Sequence, residues 1–164
     1  MELKRKQPLG IELVRRGVVS GDAIERALAY QTEHPNKRLG DILYILKEAD
    51  ADKLATEIGD IIGTKGIYLT DSKIGIEPTE YLPLDMMKNY KAIPFDIESG
   101  KIKIAFADIA NNKDNIKSVK MLVLNKGLVM EPYMAFETNI DEYFTRFEEV
   151  STTVMDNLEE TESV

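Results

Sequence analysis

The sequence has no cysteine and a single histidine among its 164 residues. Without cysteine there is neither a disulfide framework nor a thiol nucleophile, and with one histidine a Cys/His metal site is excluded. Disulfides are rare in reducing compartments, so this composition is compatible with the cytoplasm. We therefore expect a cytoplasmic protein that is stabilised by an apolar core and not by crosslinks or metal.

Long hydrophobic runs are also missing. No apolar run approaches the roughly 18 residues that indicate a membrane span, and the N-terminal segment lacks the apolar core of a signal peptide. The net charge of -8 argues against broad binding to nucleic acid phosphates, although the first six residues form a local basic tip. With 43% hydrophobic residues, we expect one or two small globular domains, no membrane insertion and no nucleic acid partner.

A short pattern near the start of the chain occurs twice. Leu9-Gly10 returns thirty residues later as Leu39-Gly40, and internal similarity of this kind is interpreted first. In each copy the Leu-Gly pair opens a short helix-period run, a polar break follows, and a second run has apolar residues four positions apart. Each copy is therefore predicted to be a pair of helices joined by a turn. The same offset aligns three further pairs of apolar residues, which are Leu13 with Leu43, Ile24 with Leu54, and Leu28 with Ile58.

The second helix of each copy has recognisable ends. Ser20 is a candidate N-cap in the first copy, where the helix is predicted to run as far as the loop His34–Asn36. In the second copy Asp50 is the candidate N-cap, and Gly63 and Gly66 are predicted to end the helix. His34 is interpreted as a solvated loop residue. The chain up to residue 66 is thus predicted to be all-helical.

Beyond this region, short β-like runs alternate with helical patterns. A three-residue loop at Glu98–Gly100 separates two alternating runs and predicts a β-hairpin. The element order is β-α-β-β-α-β-α, which is close to the split βαβ arrangement of small α+β sandwiches. Strands are predicted at 67–69, 92–97, 101–107 and 128–136, and helices at 81–90, 112–125 and 138–147.

The sequence therefore predicts an α+β protein in three parts. They are a helical repeat lobe at residues 1–66, a small α+β lobe at 67–147, and an acidic tail at 148–164. The tail holds six acids, and no lysine or arginine follows Arg146. This composition is typical of a solvated linker or a weakly helical terminus.

No catalytic motif is recognisable. The glycines between Gly59 and Gly66 lack the Gly-Lys-Ser/Thr ending of a phosphate-binding loop, and they follow a predicted helix where that loop follows a strand. There is no Gly-x-Ser-x-Gly elbow, and the carboxylates of Asp108 and Glu131 have no recognisable catalytic partner. Asp108 is interpreted as a loop or capping residue, and Met86–Met87 as core residues. A small NTPase or hydrolase is the least favoured interpretation.

The doubled Leu-Gly module followed by a small α+β lobe resembles the N-terminal domain of type II secretion and type IV pilus assembly ATPases, over about residues 8–147. Some members of this family, the MshEN-type domains, bind cyclic di-GMP through two copies of a pattern that opens with Arg-Leu-Gly and closes with Gln. The resemblance implies a non-enzymatic regulatory or docking domain of a larger, hexameric motor. It also implies coupling to the cytoplasmic part of an inner-membrane platform protein, and a location at that membrane which depends on partners.

The sequence keeps only part of this two-copy pattern. Pro8 stands where the first copy has Arg, while Lys47 and Ile61 replace the middle Gly and closing Gln of the second copy. The middle Gly is kept in the first copy as Gly17, and the spacer Thr32–Lys37 is one residue longer than the pattern. The matching positions are candidate cyclic di-GMP contacts: Leu9, Gly10, Leu13, Ile24, Leu28 and Gln31 in the first copy, and Arg38, Leu39, Gly40, Leu43, Leu54 and Ile58 in the second.

A cyclic dinucleotide presents guanine faces, guanine edges and phosphates, and each needs a different partner. Leucines offer apolar platforms, glycine at a helix start lets backbone N–H groups approach a phosphate, and Arg38 can stack on a guanine or fork to its edge. If each missing polar contact is worth ~1–3 kcal/mol, the losses at Pro8 and Ile61 predict weak binding that depends on Arg38 and Gln31. The alternative is that the leucines only pack the two helix pairs together, so no cofactor is certain.

Overall fold

The structure is a computed structural model, and it describes residues 8–148. Its N-terminal part is a helical lobe, and the rest of the described chain is a sheet lobe. The helical lobe consists of α1 Pro8–Arg15, α2 Gly21–Glu33, α3 Leu39–Ile45 and α4 Ala51–Ile62. The sheet lobe consists of β1 Lys65–Gly66, α5 Leu84–Tyr90, β2 Ala92–Glu98, β3 Lys101–Ala107, α6 Lys113–Leu124, β4 Val129–Ala135 and α7 at 137–148. The predicted α+β class is confirmed.

The turns that end α1 and α3 are the same structure repeated. Val18 N–H donates to the Leu13 carbonyl over 2.9 Å, and thirty residues later Glu48 N–H donates to the Leu43 carbonyl over 3.1 Å. Each bond spans five residues, which is the hydrogen bond of a Schellman helix end. The repeat predicted from apolar residues therefore extends to individual backbone hydrogen bonds.

The left-handed residue of this turn differs between the copies. Gly17 adopts φ +72° in the first copy, and Lys47 adopts φ +56° at the equivalent position of the second. A left-handed conformation costs an L residue with a Cβ roughly 1–2 kcal/mol. The loss of the middle glycine has left the backbone geometry in place and introduced strain.

The caps of the two long helices also repeat. Ser20 Oγ accepts the N–H of Ala23 over 3.0 Å at the start of α2, and Asp50 Oδ2 accepts the N–H of Lys53 over 3.0 Å at the start of α4. Both bonds satisfy donors that a helix start leaves free. The two N-caps predicted from sequence are confirmed.

Within the described residues the strands form a mixed sheet of order β1-β4-β3-β2. β2 and β3 are antiparallel, while β4 runs parallel to β3 on one side and to β1 on the other. The β2–β3 turn is the pair Ser99-Gly100, with φ +53° and +78°. Two residues with positive φ give the twist that a tight hairpin needs, so the predicted hairpin is confirmed with a loop one residue shorter.

The first strand was predicted in the wrong place. It lies at Lys65–Gly66 and not at 67–69, and of the apolar run Ile67–Leu69 only Ile67 continues the ladder, by donating its N–H to the Met134 carbonyl over 2.9 Å. The prediction that Gly66 ends α4 was also wrong. Gly63, with φ +84°, is the left-handed cap, and Gly66 is a strand residue.

Two further helix starts differ from the prediction. The helix predicted from residue 81 begins at Leu84, because a short 3-10 turn at Pro78–Glu80 precedes it and Pro83 occupies the N-cap. Asn112 does precede α6, but its side chain donates to the Tyr90 carbonyl over 3.1 Å and makes no capping bond. A local turn therefore decides the first of these starts, and a tertiary contact takes the capping side chain away from the second.

The face of β3 that was expected to be largely polar is partly covered. Ala105 is fully buried, as is its neighbour Ile93 across the β2–β3 ladder, while Lys101 on the same face is exposed. Gly75 N–H donates to the Phe95 carbonyl over 2.7 Å, so the long loop before α5 lies against this end of the sheet. The polar expectation holds only toward the hairpin.

The buried apolar residues form two clusters that meet at the end of β4. Leu13, Leu43 and Leu54 are fully buried in the helical cluster, which also contains Met134 and Phe136 from the sheet lobe. Because residues of both lobes pack in one cluster, the predicted domain division at 1–66 and 67–147 remains a proposal. The predicted tail lies outside the described residues except for residue 148. Among residues 8–148, no helix is long and apolar enough to cross a membrane.

Candidate functional site at the crossing of the two repeats

The two Leu-Gly pairs contact each other reciprocally, the glycine of each facing the leucine of the other. A Cβ added to Gly10 would lie 3.3 Å from Cδ2 of Leu39, and one added to Gly40 would lie 4.0 Å from Cδ2 of Leu9. Gly40 is the more crowded, because its Cβ would also lie 3.0 Å from Cδ1 of Ile58. The glycines therefore leave room for the leucine side chain of the other copy and, at Gly40, for Ile58.

Two cavities open beside this crossing and share Leu39 as a wall. The first, of about 160 Å³, lies between α3, α4 and the sheet lobe. The second, of about 260 Å³, lies between α1 and α2. Eight of the twelve candidate residues line them: Leu9, Arg38, Leu39, Gly40 and Ile58 in the first, and Gly10, Ile24, Leu28 and again Leu39 in the second.

The other four candidate residues lie elsewhere. Leu13, Leu43 and Leu54 have no exposed surface and form the core of the helical lobe. The side-chain amide of Gln31 donates to the carbonyl of Lys37 over 2.9 Å. Gln31 therefore holds the spacer between the copies in place, and the three leucines have no surface to offer a ligand in this conformation.

Arg38 lies at the rim of the first cavity and is bound to the sheet lobe. Its guanidinium donates to Oδ2 of Asp108 over 2.8 Å, while about half of the arginine side chain is exposed. Asp108 immediately precedes a 3-10 turn, and its own φ is +53°. It is therefore a loop residue, as expected, but its side chain makes no capping hydrogen bond. Its second oxygen, Oδ1, is buried without a hydrogen-bond partner among the described residues. The sequence did not indicate this pair, because seventy positions separate its members.

Asp41 fastens the second copy to the sheet lobe and was missed by sequence reasoning. It is 7% exposed, and its carboxylate accepts the backbone N–H of Thr138 over 3.0 Å and the Thr138 hydroxyl over 2.9 Å. Thr138 lies in the first turn of α7, where free N–H groups and the helix dipole favour an anion. Asp41 thus caps a helix of the other lobe.

Tyr44, one turn further along α3, makes the second attachment. Its ring stacks on Phe136 with a centroid distance of 4.7 Å, and its hydroxyl donates to Glu142 over 2.6 Å. Burial and, second, the hydrogen bond to Glu142 raise the pKa of the Tyr44 hydroxyl, which therefore stays protonated as a donor. Asp41 and Tyr44 together place the second repeat on α7.

The first copy presents the equivalent surface without a cover in the described part of the chain. Positions 41 and 44 correspond to Ile11 and Val14 in the first copy, whose side chains are 57% and 39% exposed. Both also line the second cavity. We call Ile11, Val14 and that cavity the α1 face. The same module thus uses one copy for an internal contact and leaves the other copy apolar and open.

The family model of the MshEN domain matches residues 62–154, which is more than half of the chain. The chain belongs to the MshEN domain family. This confirms the resemblance inferred from the doubled Leu-Gly module at the level of the family. The matched segment of this MshEN domain begins after the last of the twelve candidate residues, so the family assignment does not test them.

One solved structure with a TM-score above 0.5 shares the fold of this MshEN domain. The structure of MshE with cdg, cyclic di-GMP, is 24% identical with a TM-score of 0.55, and the match covers 84% of this chain and 96% of that one. The N-terminal domain of XpsE is 18% identical with a TM-score of 0.47, covering 82% and 89%. No curated protein sequence matches this MshEN domain.

Proposed function

We propose that this MshEN domain is a non-enzymatic docking and regulatory part of a type II secretion or type IV pilus assembly ATPase. It would couple the motor, on the same polypeptide and in a hexamer, to the cytoplasmic part of an inner-membrane platform protein. Its location would then be the cytoplasmic side of that membrane, held through partners. The observation that carries the proposal is the open, apolar α1 face.

The repeat itself indicates what the α1 face is built to do. In the second copy, this face of the module binds another folded unit through Asp41 and Tyr44. In the first copy, Ile11 and Val14 offer apolar surface and no polar anchor at the same positions. Neighbouring apolar side chains beside a cavity are typical of contact sites that a partner side chain fills. The partner should therefore present an apolar residue toward the second cavity.

Charge substitution on the α1 face tests the docking function. Ile11→Glu or Val14→Glu should weaken binding of a purified platform-protein cytoplasmic part at least tenfold, which is about 1.4 kcal/mol. A buried carboxylate without a partner would oppose the contact. Ala29→Glu, an exposed change on α2, is the matched control and should leave affinity unchanged.

Binding can be measured by calorimetry, with thermal unfolding of each variant as a check on the fold. The docking role is wrong if the Ile11 and Val14 variants stay folded and bind as the Ala29 variant does. Equal weakening by all three variants would mean that net charge, and not this face, determines binding.

Cyclic di-GMP is a second candidate, supported by the two cavities that share Leu39. Ligand pockets are usually about 300–1,000 Å³, so each cavity alone is small for a dinucleotide. A ligand would have to lie across both cavities, over the Leu39 side chain. It would also have to compete with Asp108 for Arg38, the one arginine that the pattern keeps. We therefore propose weak binding at most.

Calorimetry with cyclic di-GMP at low and physiological salt tests this candidate. Arg38→Ala should abolish measurable heat, since it removes the cation at the rim. Gln31→Ala should weaken binding by releasing the spacer carbonyl of Lys37. Arg15→Ala is the control, because Arg15 is exposed and its ion pair with Glu12 lies within α1. Tight binding that survives Arg38→Ala would contradict the site.

A further inference from the structure

The solvent side of α6 carries a basic and apolar stripe, which we call the α6 face. The residues recur at helical spacing within one arc of the helix that is turned away from the buried Val119 and Val123, so they form one surface. All are exposed, Met121 by 58% and Leu124 by 49%. The α6 face consists of Lys113, Lys117, Lys120, Met121 and Leu124.

The charge of this face is opposite to that of the whole chain. The chain has a net charge of -8, yet α6 carries three lysines against the single acid Asp114. Among residues 8–148, the ion pairs include Lys65, Lys73, Lys88, Lys91 and Lys103, but not the three α6 lysines. An acidic segment that also carries apolar residues would complement the α6 face in both respects.

Residues 149–164 of the same chain have this composition. They hold five acids and neither lysine nor arginine. Val150, Val154 and Leu158 recur every four residues, among the acids. We propose that residues 149–164 dock on the α6 face, with their carboxylates against the lysines and their apolar side chains over Met121 and Leu124.

Chain length permits this contact. Sixteen residues span up to about 50 Å when extended, at ~3.3 Å per residue. A folded unit of the size described here has a radius of gyration of about 14 Å. Starting from residue 148, the distal part of the segment, around Leu158, can therefore reach up to about 33 Å from the end of α7. Because the segment is tethered, its effective concentration is in the millimolar range, so a weak contact suffices.

The absence of cysteine allows a direct experiment on the full chain. A nitroxide label on Thr153→Cys should broaden the amide signals of Lys117–Leu124 at least twofold more than exposed amides of α2. This difference should disappear at ~0.5 M salt, where charges are screened beyond a few ångströms. It should also disappear in the triple variant Lys113→Glu, Lys117→Glu, Lys120→Glu.

A control reverses three other exposed lysines, Lys47→Glu, Lys53→Glu and Lys101→Glu, and should leave the broadening of α6 in place. The proposal is overturned if α6 and α2 broaden equally, or if the broadening persists in the triple variant and at high salt.

A mixture of isotope-labelled wild-type chain and spin-labelled unenriched chain distinguishes docking within one chain from docking between two copies. Broadening of α6 in that mixture would mean that a second copy supplies the segment, which also overturns docking within one chain. The salt titration needs no substitution in α6, so the test stands even if the triple variant fails to fold.

Discussion

Gly59 and Gly66 meet backbone to backbone where α4 crosses β1. A Cβ on Gly59 would lie 2.4 Å from the amide nitrogen of Gly66, and a Cβ on Gly66 would lie 1.8 Å from the carbonyl oxygen of Ala55. Non-bonded atoms do not approach so closely, so this crossing exists only because both residues lack a side chain. It joins the last helix of the repeat to the edge of the sheet.

Gly66→Ala should destabilise the protein by about 3 kcal/mol or more, because the new methyl group meets backbone that cannot rotate away. Urea unfolding followed by circular dichroism measures the loss. Gly21→Ala is the control, since no atom lies within 4 Å of an added Cβ there, and it should change stability little. Similar stability of the two variants would show that the crossing is looser than described.

Lys47→Gly should stabilise the protein by about 0.5–1 kcal/mol. Glycine relieves roughly 1–2 kcal/mol of left-handed strain, and part of that gain is offset by the greater freedom of glycine in the unfolded chain. Lys53→Gly in the first turn of α4 should instead destabilise, because Lys53 has helical backbone. Thermal and urea unfolding of the pair give the comparison, and a less stable Lys47→Gly variant would contradict the strain.

Leu43→Ala should cost ~2–5 kcal/mol, as expected for a leucine without exposed surface in a packed core. Leu28→Ala, which truncates a half-buried residue on the wall of the second cavity, should cost clearly less. Unfolding curves in urea distinguish the two. A loss below about 1 kcal/mol for Leu43 would indicate an exposed platform residue in place of a core residue.

Asp41→Ala should cost about 1–3 kcal/mol, because Thr138 loses an acceptor for both its N–H and its hydroxyl in a half-buried place. Amide hydrogen exchange should accelerate in the first turn of α7 more than in α2. Asp22→Ala is the control, since Asp22 is an exposed first-turn acid. If α7 exchange is unchanged, the cap does not hold the lobes together.

The features predicted correctly from sequence depend on neighbours in the chain. Ser20 caps a donor three residues away and Asp50 does the same, so residue type and spacing were sufficient. The repeat was visible because the same local contacts occur at one offset. The hairpin was visible because Ser99-Gly100 can take the required positive φ values.

The errors and omissions arise where distant segments meet. Strand β1 lies at Lys65–Gly66 because only a glycine fits against the carbonyl oxygen of Ala55 at position 66. This backbone contact outweighs the β propensity of Ile67–Leu69. Nothing in the local sequence indicates it. The same holds for three of the side-chain bridges between the lobes, Asp41 with Thr138, Tyr44 with Glu142 and Arg38 with Asp108, whose members are 97, 98 and 70 positions apart.

The sequence by itself determined the doubled helix pair, the order of strands and helices, and the resemblance that identified the family, since periodicity and capping act over a few residues. Only the tertiary structure decided which copy of the repeat is covered and which is open. That difference comes from contacts with α7, which buries Asp41 and leaves Ile11 exposed. The two positions are equivalent in the repeat, and only the surface that packs on them distinguishes their roles.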